Sequence, residues 1–142
     1  MIVRFTVPGE PVAQGRPRFA RAGKAAVAYD PQKSRDFKFL VRLVAAAHKP
    51  PELFAGPVSL CVLVYRQVPK SWGKKKTALA LAGKIRPTTK PDLDNYAKGV
   101  KDALNGIVWR DDSQVTDEFC QKRYAAAPRV DVEVVDLDSE PE

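Results

Sequence analysis

The sequence predicts a single α/β domain over residues 1–142: a two-layer sandwich in which a mixed four-stranded sheet carries helices mainly on one face. Three observations lead there. Val3, Phe5 and Val7 near one end and Val130, Val132 and Val134 near the other alternate at period two, the pattern of strands with one wet face. Residues 58–65, VSLCVLVY, are apolar on both faces apart from Ser59, as a central strand requires. Between the strands, apolar residues recur at i, i+3, i+4 and i+7, the spacing of amphipathic helices. A chain of 142 residues is long enough for one core that buries roughly 68–70% of its extended-chain surface.

In order, Ile2–Val7 is expected as the first strand, ended by Pro8 and Gly9. Glu10 to Asp30 reads as a long loop in which Arg16, Arg18, Arg21 and Lys24 are interleaved with Phe19 and Tyr29. Such a loop suits phosphate contact, with an aromatic ring to stack on or wedge between bases. The alternative is that the rings pin the loop to the core and the cations are merely solvated. Asp30 is expected to cap the first helix and Pro31 to open it. Phe37, Leu40, Val41 and Val44 form its stripe, and Phe39, Leu43 and Ala46 widen it into a well-buried helix that Lys49-Pro50-Pro51 stops. Lys33, Arg35 and Arg42 lie off the stripe. His48 reads as a favourable partner for the helix dipole, not as a ligand or base.

After the central strand, Ser71 is expected to cap a basic helix that runs to Ala82 and ends at Gly83. Lys74, Lys75 and Lys76 on its outer turns are either a solvated face or a contact for a DNA arm. Pro91 holds Lys90 extended, so the third helix should begin at Asp92, with Leu93, Tyr96, Ala97, Val100, Ala103 and Leu104 on its apolar face and Gly106 at its end. Val115–Ala125 begins as a turn and becomes a strand. On residue grounds alone its Lys122 is an ordinary exposed strand lysine. The last strand follows, and Asp136–Glu142 is expected as a frayed acidic tail.

The formal charge of +7 is unevenly spread. Residues 1–91 hold eighteen Lys and Arg against four Asp and Glu, whereas residues 92–142 hold six against thirteen. A basic first part points to a polyanionic partner. No apolar run approaches the ~20 residues of a membrane span. Residues 1–10 alternate like a strand and do not read as a signal peptide, so the expected location is the cytoplasm. Cys61 and Cys120 lack metal spacing and read as reduced core residues.

The chemistry concentrates in residues 88–112, TTKPDLDNYAKGVKDALNGIVWRDD. Asp94 and Lys98 share a helix face. If Ile107, Val108 and Trp109 pack back beside the helix, Asp111 and Asp112 return to the end that carries Asp92 and Asp94. Three or four carboxylates then converge beside Lys98. Two unit charges at ~4 Å repel by about 4 kcal/mol at an effective dielectric of 20, so such a cluster requires a cation. All-oxygen donors favour Mg²⁺ or Mn²⁺ over Zn²⁺. The structural alternative is a helix capped by acids and an ordinary Asp-Asp turn.

PDLDNYAKGVKDALNG, then VWRDD, then Gln114-Val115 and Lys122, together with GEPVAQGRPRF and the last alternating strand, resembles the RusA family of Holliday junction resolvases over nearly the whole chain. The resemblance implies metal ligation by Asp92, Asp94 and Asp112 and a catalytic role for Lys98. It also implies a homodimer that acts on four-way DNA junctions. The expectation is therefore a Mg²⁺-dependent endonuclease, with Mn²⁺ as a substitute, acting on branched DNA. Arg16, Arg18, Arg21, Lys24, Lys74, Lys75, Lys76 and Lys122 would face the DNA; Asp111 would stand behind the ligands or be a minor ligand, and Asp102 would stand behind them or lie at the surface. Two alternatives stay open: a DNA-binding module without catalysis, and a metal nuclease for other branched DNA.

Overall fold

Sheet pairing organises the chain. The computed structural model describes residues 1–15, 18–23, 25–29 and 31–139. Its elements are β1 (Ile2–Pro8), β2 (Arg18–Ala22), β3 (Ala25–Tyr29), α1 (Gln32–Ala46), β4 (Val58–Gln67), α2 (Lys74–Leu81), α3 (Leu93–Leu104), a short 3-10 turn (Asp112–Gln114), β5 (Val115–Ala125) and β6 (Arg129–Asp136). Four strands form one sheet in the order β1-β6-β4-β5, and β2 and β3 form a separate antiparallel hairpin. β1 and β4 both pair antiparallel with β6, while β4 and β5 run parallel, so the expected mixed sheet is present.

The period-two pattern does its work on the inner face. Val3, Phe5 and Val7 of β1, Val58, Leu60, Val62 and Val64 of β4, and Val130, Val132 and Val134 of β6 are all buried. Phe37, Val41 and Ala45 of α1 and Tyr96, Val100, Ala103 and Leu104 of α3 close over them. α1 and α3 pack side by side as well as onto the sheet. No described helix is long and apolar enough to cross a membrane.

Several local expectations change. The segment expected as a loop contains the β2–β3 hairpin, whose short strands alternate too weakly to be read from residues of this kind. Pro31 stands at the N-cap of α1 and the helix proper starts at Gln32; Asp30 lies outside the described residues. Phe39 and Leu43 are 64% and 55% exposed, because α1 rests on the sheet and α3 with one stripe only. Gly73, not Ser71, caps α2. Asp136 belongs to β6, and Leu137 to Ser139 are tied back through Leu137 N–H to the Pro57 carbonyl and Ser139 Oγ to the Asp136 carbonyl.

The decisive feature is the return after α3. Gly106 adopts a left-handed φ of 79°, which lets the chain reverse at once. Asn105 and Trp109 form a bridge, Trp109 also bridges Phe54, and the indole N–H donates to Asn105 Oδ1 at 2.7 Å. Trp109 is completely buried, so it anchors the reversal to the core. Removing the acceptor would leave a buried donor unpaired. Asn105→Ala should therefore lower the unfolding free energy by about 1–3 kcal/mol in urea titration with an unchanged m-value.

Candidate active site

α3 presents its acids at its N-terminal end. Asp92 holds the N-cap with extended backbone, yet its carboxylate makes no capping hydrogen bond. Asp94 lies in the first turn, and Lys98 follows one turn later. All three are exposed, while Tyr96, Ala97 and Val100 face the core. The positive end of the helix dipole favours both carboxylates there.

A cleft of about 380 Å³ opens beside Asp92, lined by Gln14, Gly15, Lys90, Pro91 and Asn95. Its far wall is the chain entering the hairpin. Gln14 N–H donates to the Asn95 carbonyl at 2.9 Å, and Gly15 N–H donates to Ser34 Oγ at 2.9 Å. A Cβ on Gly15 would stand 2.9 Å from Pro31 Cγ, so only glycine lets this wall approach α1. Sequence reading passed over Gln14, Gly15 and Asn95; the Gln-Gly step and the Asn that follows Asp94 were the available signals.

The second pair of acids lies elsewhere. β5 runs back along α3: Glu118 pairs with Lys101 at 2.9 Å, Cys120 Sγ approaches the Leu93 carbonyl at 3.7 Å, and Lys122 reaches the Pro91 carbonyl at 3.0 Å. The start of β5 and the 3-10 turn before it therefore sit beside the C-terminal end of α3. A helix of this length is about 18 Å long. The expected convergence of Asp111 and Asp112 on Asp92 and Asp94 does not occur within one chain, because the Asn105–Trp109 bridge holds the returning chain at the far end. Among the described residues, no three His, Cys, Asp or Glu side chains stand close enough to share one metal ion. The donors of Asp92, Asp94 and Asp112 suit a hard divalent cation in chemistry, but a single chain does not gather them.

What the fold does with each charge separates the site residues. Asp111 accepts from Ser113 N–H at 3.1 Å in a capping box with Gln114, and hydrogen bonding by the Ser113 side chain first, and by its backbone N–H second, holds the Asp111 carboxyl below the usual carboxylate range. Asp102 pairs with Lys38 at 3.4 Å. Lys122 donates to the Thr89 and Pro91 carbonyls, both at 3.0 Å. Among the described residues, Asp92, Asp94, Lys98 and Asp112 alone of the expected site set at α3 and its return have no side-chain hydrogen bond or ion pair. The fold gives these four side chains no hydrogen-bond or ion-pair partner among the described residues.

Cations gather at the Asp92 end of the sheet. α2 packs against β5 and places Lys74, Lys75 and Lys76 in its first turn, all exposed. Lys76 Nζ lies 4.0 Å over the Trp72 ring, which meets Tyr124 edge-on at 5.2 Å. Three cations at a helix N-terminus oppose the dipole, so they do not serve the stability of α2. Arg86, Lys122 and Arg123 line a shallow cleft nearby. In the hairpin, Phe19 is 71% exposed and Arg21 is exposed, so Phe19 does not pin this segment to the core. Arg16 and Lys24 lie outside the described residues, and the described part of Arg18 is its place in β2. A cleft of about 480 Å³ lies over β1, β4 and β6, away from these groups. Its charges are paired, Arg4 with Glu133 and Asp131 with Arg129, and Thr6 also donates to Asp131, so it offers no reactive set.

The cysteines carry no chemistry. Burial, reinforced by Glu118, pushes the Cys120 thiol up to about 11, and burial also raises Cys61. Neither is a nucleophile at neutral pH.

Comparison with known proteins gives two matches. The family model described as Endodeoxyribonuclease RusA matches residues 8–135. The "Uncharacterized protein YqaN" of Bacillus subtilis (strain 168) is 56% identical over 133 residues, which cover 92% of this chain and 93% of that relative.

The raised thiols are directly testable. In a Cys61→Ser variant, native Cys120 should react with iodoacetamide at pH 8 about 100-fold more slowly than free cysteine, since its thiolate fraction is that much smaller. Urea should restore ordinary reactivity. Fast labelling of the native protein would contradict the burial of this thiol.

Proposed function

The chain belongs to the RusA endodeoxyribonuclease family, hydrolases that resolve Holliday junctions, and from that premise we propose that it is a Mg²⁺-dependent homodimer that cuts four-way DNA junctions with paired nicks. The observation that carries this reading is the set of charges without internal partners: Asp92, Asp94, Lys98 and Asp112. A fold that pairs or caps Asp102 and Asp111 leaves these four free for something outside the chain.

The metal would be held by Asp92 and Asp94 of one protomer and Asp112 of a second. The length of α3 keeps the two groups apart within a chain, and a two-fold axis is the simplest operation that joins them. A bound Mg²⁺ supplies Lewis-acid polarisation of a phosphoryl oxygen and a lower pKa for water; Mn²⁺ has the same donor preference. Lys98, exposed one turn beyond Asp94, stabilises charge that develops on the phosphate. A four-way junction has two-fold symmetry, so two such sites address two opposed strands. Lys74, Lys75 and Lys76 receive a duplex arm, and Arg18 and Arg21 of β2, together with Arg16 and Lys24 as neighbours in sequence, contact the DNA backbone. Phe19 is available to wedge between bases there.

Labelled four-way junction, incubated with and without Mg²⁺, should be cut only with the metal. Binding without cutting would favour a DNA-binding module, and cutting of flaps but not junctions would favour another branched substrate. Asp92→Asn and Asp112→Asn should each nearly abolish cleavage while junction affinity is kept, because each removes a charge that repels phosphate. Asp111→Asn should cut normally, since Asn caps almost as well as Asp. Mixing the inactive Asp92→Asn and Asp112→Asn proteins should restore single nicks, because a mixed dimer contains one intact site. No recovery in mixed dimers would refute ligation across protomers. Junction affinity should also fall steeply with salt, and Lys74→Ala with Lys75→Ala should flatten the slope of log K against log salt by roughly 1.8. An unchanged slope would remove α2 from the interface.

A further inference from the structure

We propose that Lys122 and Arg66 are positioning residues that set the direction of the Asp92 carboxylate by gripping the backbone just ahead of it. This rests on the reading of Asp92 as a metal ligand.

Asp92 has an orientation problem. Its side chain makes no capping bond and it stands exposed at the end of α3. Nothing in contact with the carboxylate holds it, so its direction must come from the backbone. That backbone is gripped from the sheet. Lys122 of β5 donates to the Thr89 carbonyl and to the Pro91 carbonyl, both at 3.0 Å. The Pro91 carbonyl belongs to the peptide unit that leads into Asp92, and the Asp92 carbonyl on the other side accepts from Asn95 N–H at 3.2 Å and Tyr96 N–H at 3.4 Å, so with both planes held the bond from which the Asp92 side chain departs is fixed. Arg66 of β4 donates to the Thr89 carbonyl at 3.3 Å and to Thr89 Oγ1 at 3.2 Å. One residue after Asp92, the Leu93 carbonyl faces Cys120 Sγ at 3.7 Å. The 89–93 segment is thus held at three carbonyls by two adjacent parallel strands. A lysine at the surface of an edge strand would ordinarily be free to meet phosphate. Here two of its three donors are already committed.

Two effects of removing Lys122 oppose each other. Losing a nearby positive charge favours cation binding at Asp92. Losing the grip lets the carboxylate wander. Groups that orient a metal's ligands typically matter 10–100-fold in affinity, and an exposed charge acting through solvent matters less, so the loss of grip should win.

The test titrates Mn²⁺ alone into metal-free full-length protein, followed by calorimetry, and measures junction affinity without metal across salt. Lys122→Met should weaken Mn²⁺ binding by about tenfold or more and leave metal-free junction affinity and its salt slope unchanged. Lys122→Arg, whose fork also spans two carbonyls, should recover most of the loss. Unchanged or tighter Mn²⁺ binding by Lys122→Met would overturn the proposal. So would a fall in metal-free junction affinity with a slope reduced by about 0.9, the mark of a phosphate contact. If Lys122→Met fails to fold by circular dichroism, Arg66→Met decides by the same readings. Asp92→Asn in parallel tests the underlying site: wild-type Mn²⁺ affinity in that variant would show that the metal reading itself has failed, whatever Lys122 does.

Discussion

The parallel pairing of β5 with β4 is the constraint on which the arrangement depends. A parallel neighbour can be entered only after the chain has travelled back along the sheet, and α3 makes that journey. Its direction is therefore opposite to that of β4 and β5. The N-terminus of α3 lies where β5 ends, and the residues that follow α3 lie where β5 begins. Trp109, fully buried and hydrogen-bonded to Asn105, locks this return. Every acidic group near α3 inherits its position from that geometry: Asp92 and Asp94 at one end of the sheet, Asp111 and Asp112 at the other.

The same geometry sorts charges of both signs. At the Asp92 end, β5 contributes Lys122 and Arg123, α2 docks its lysines beside Tyr124, and the segment into the hairpin closes the cleft with Gln14 and Gly15. The sequence-wide imbalance between a basic first part and an acidic second part thus becomes a local juxtaposition, with cations surrounding a small acidic centre. Carboxylates there sit at the favourable end of a helix dipole, whereas the lysines of α2 sit at the unfavourable end of theirs. The fold tolerates the second arrangement without gaining from it.

A two-layer fold of this size also leaves surface it does not use. Phe39 and Leu43 on α1, Phe119 on β5 and Phe19 on the hairpin are all more than half exposed. Apolar surface is therefore available to a partner without any rearrangement of the core.

The sequence by itself determined the layers, the mixed sheet and the helix that carries Asp92, Asp94 and Lys98. Those features follow from local periodicity, and Val3, Phe5, Val7, Tyr96 and Val100 each report the face they occupy. It also carried the family, through a long pattern of residue types. Other features belonged to tertiary structure alone. Whether Asp112 meets Asp92 depends on which end of α3 the chain returns to, and Asp-Asp after an apolar run reads the same in either case. The roles of Asp111, Asp102 and Lys122 depend on the partners that fall within reach, namely Ser113, Lys38 and the Thr89 and Pro91 carbonyls. Arg66 left no trace in the sequence, since an arginine at the end of an apolar strand looks like solubilising charge. Periodicity encodes which face a residue occupies, but the register between distant segments decides what it touches.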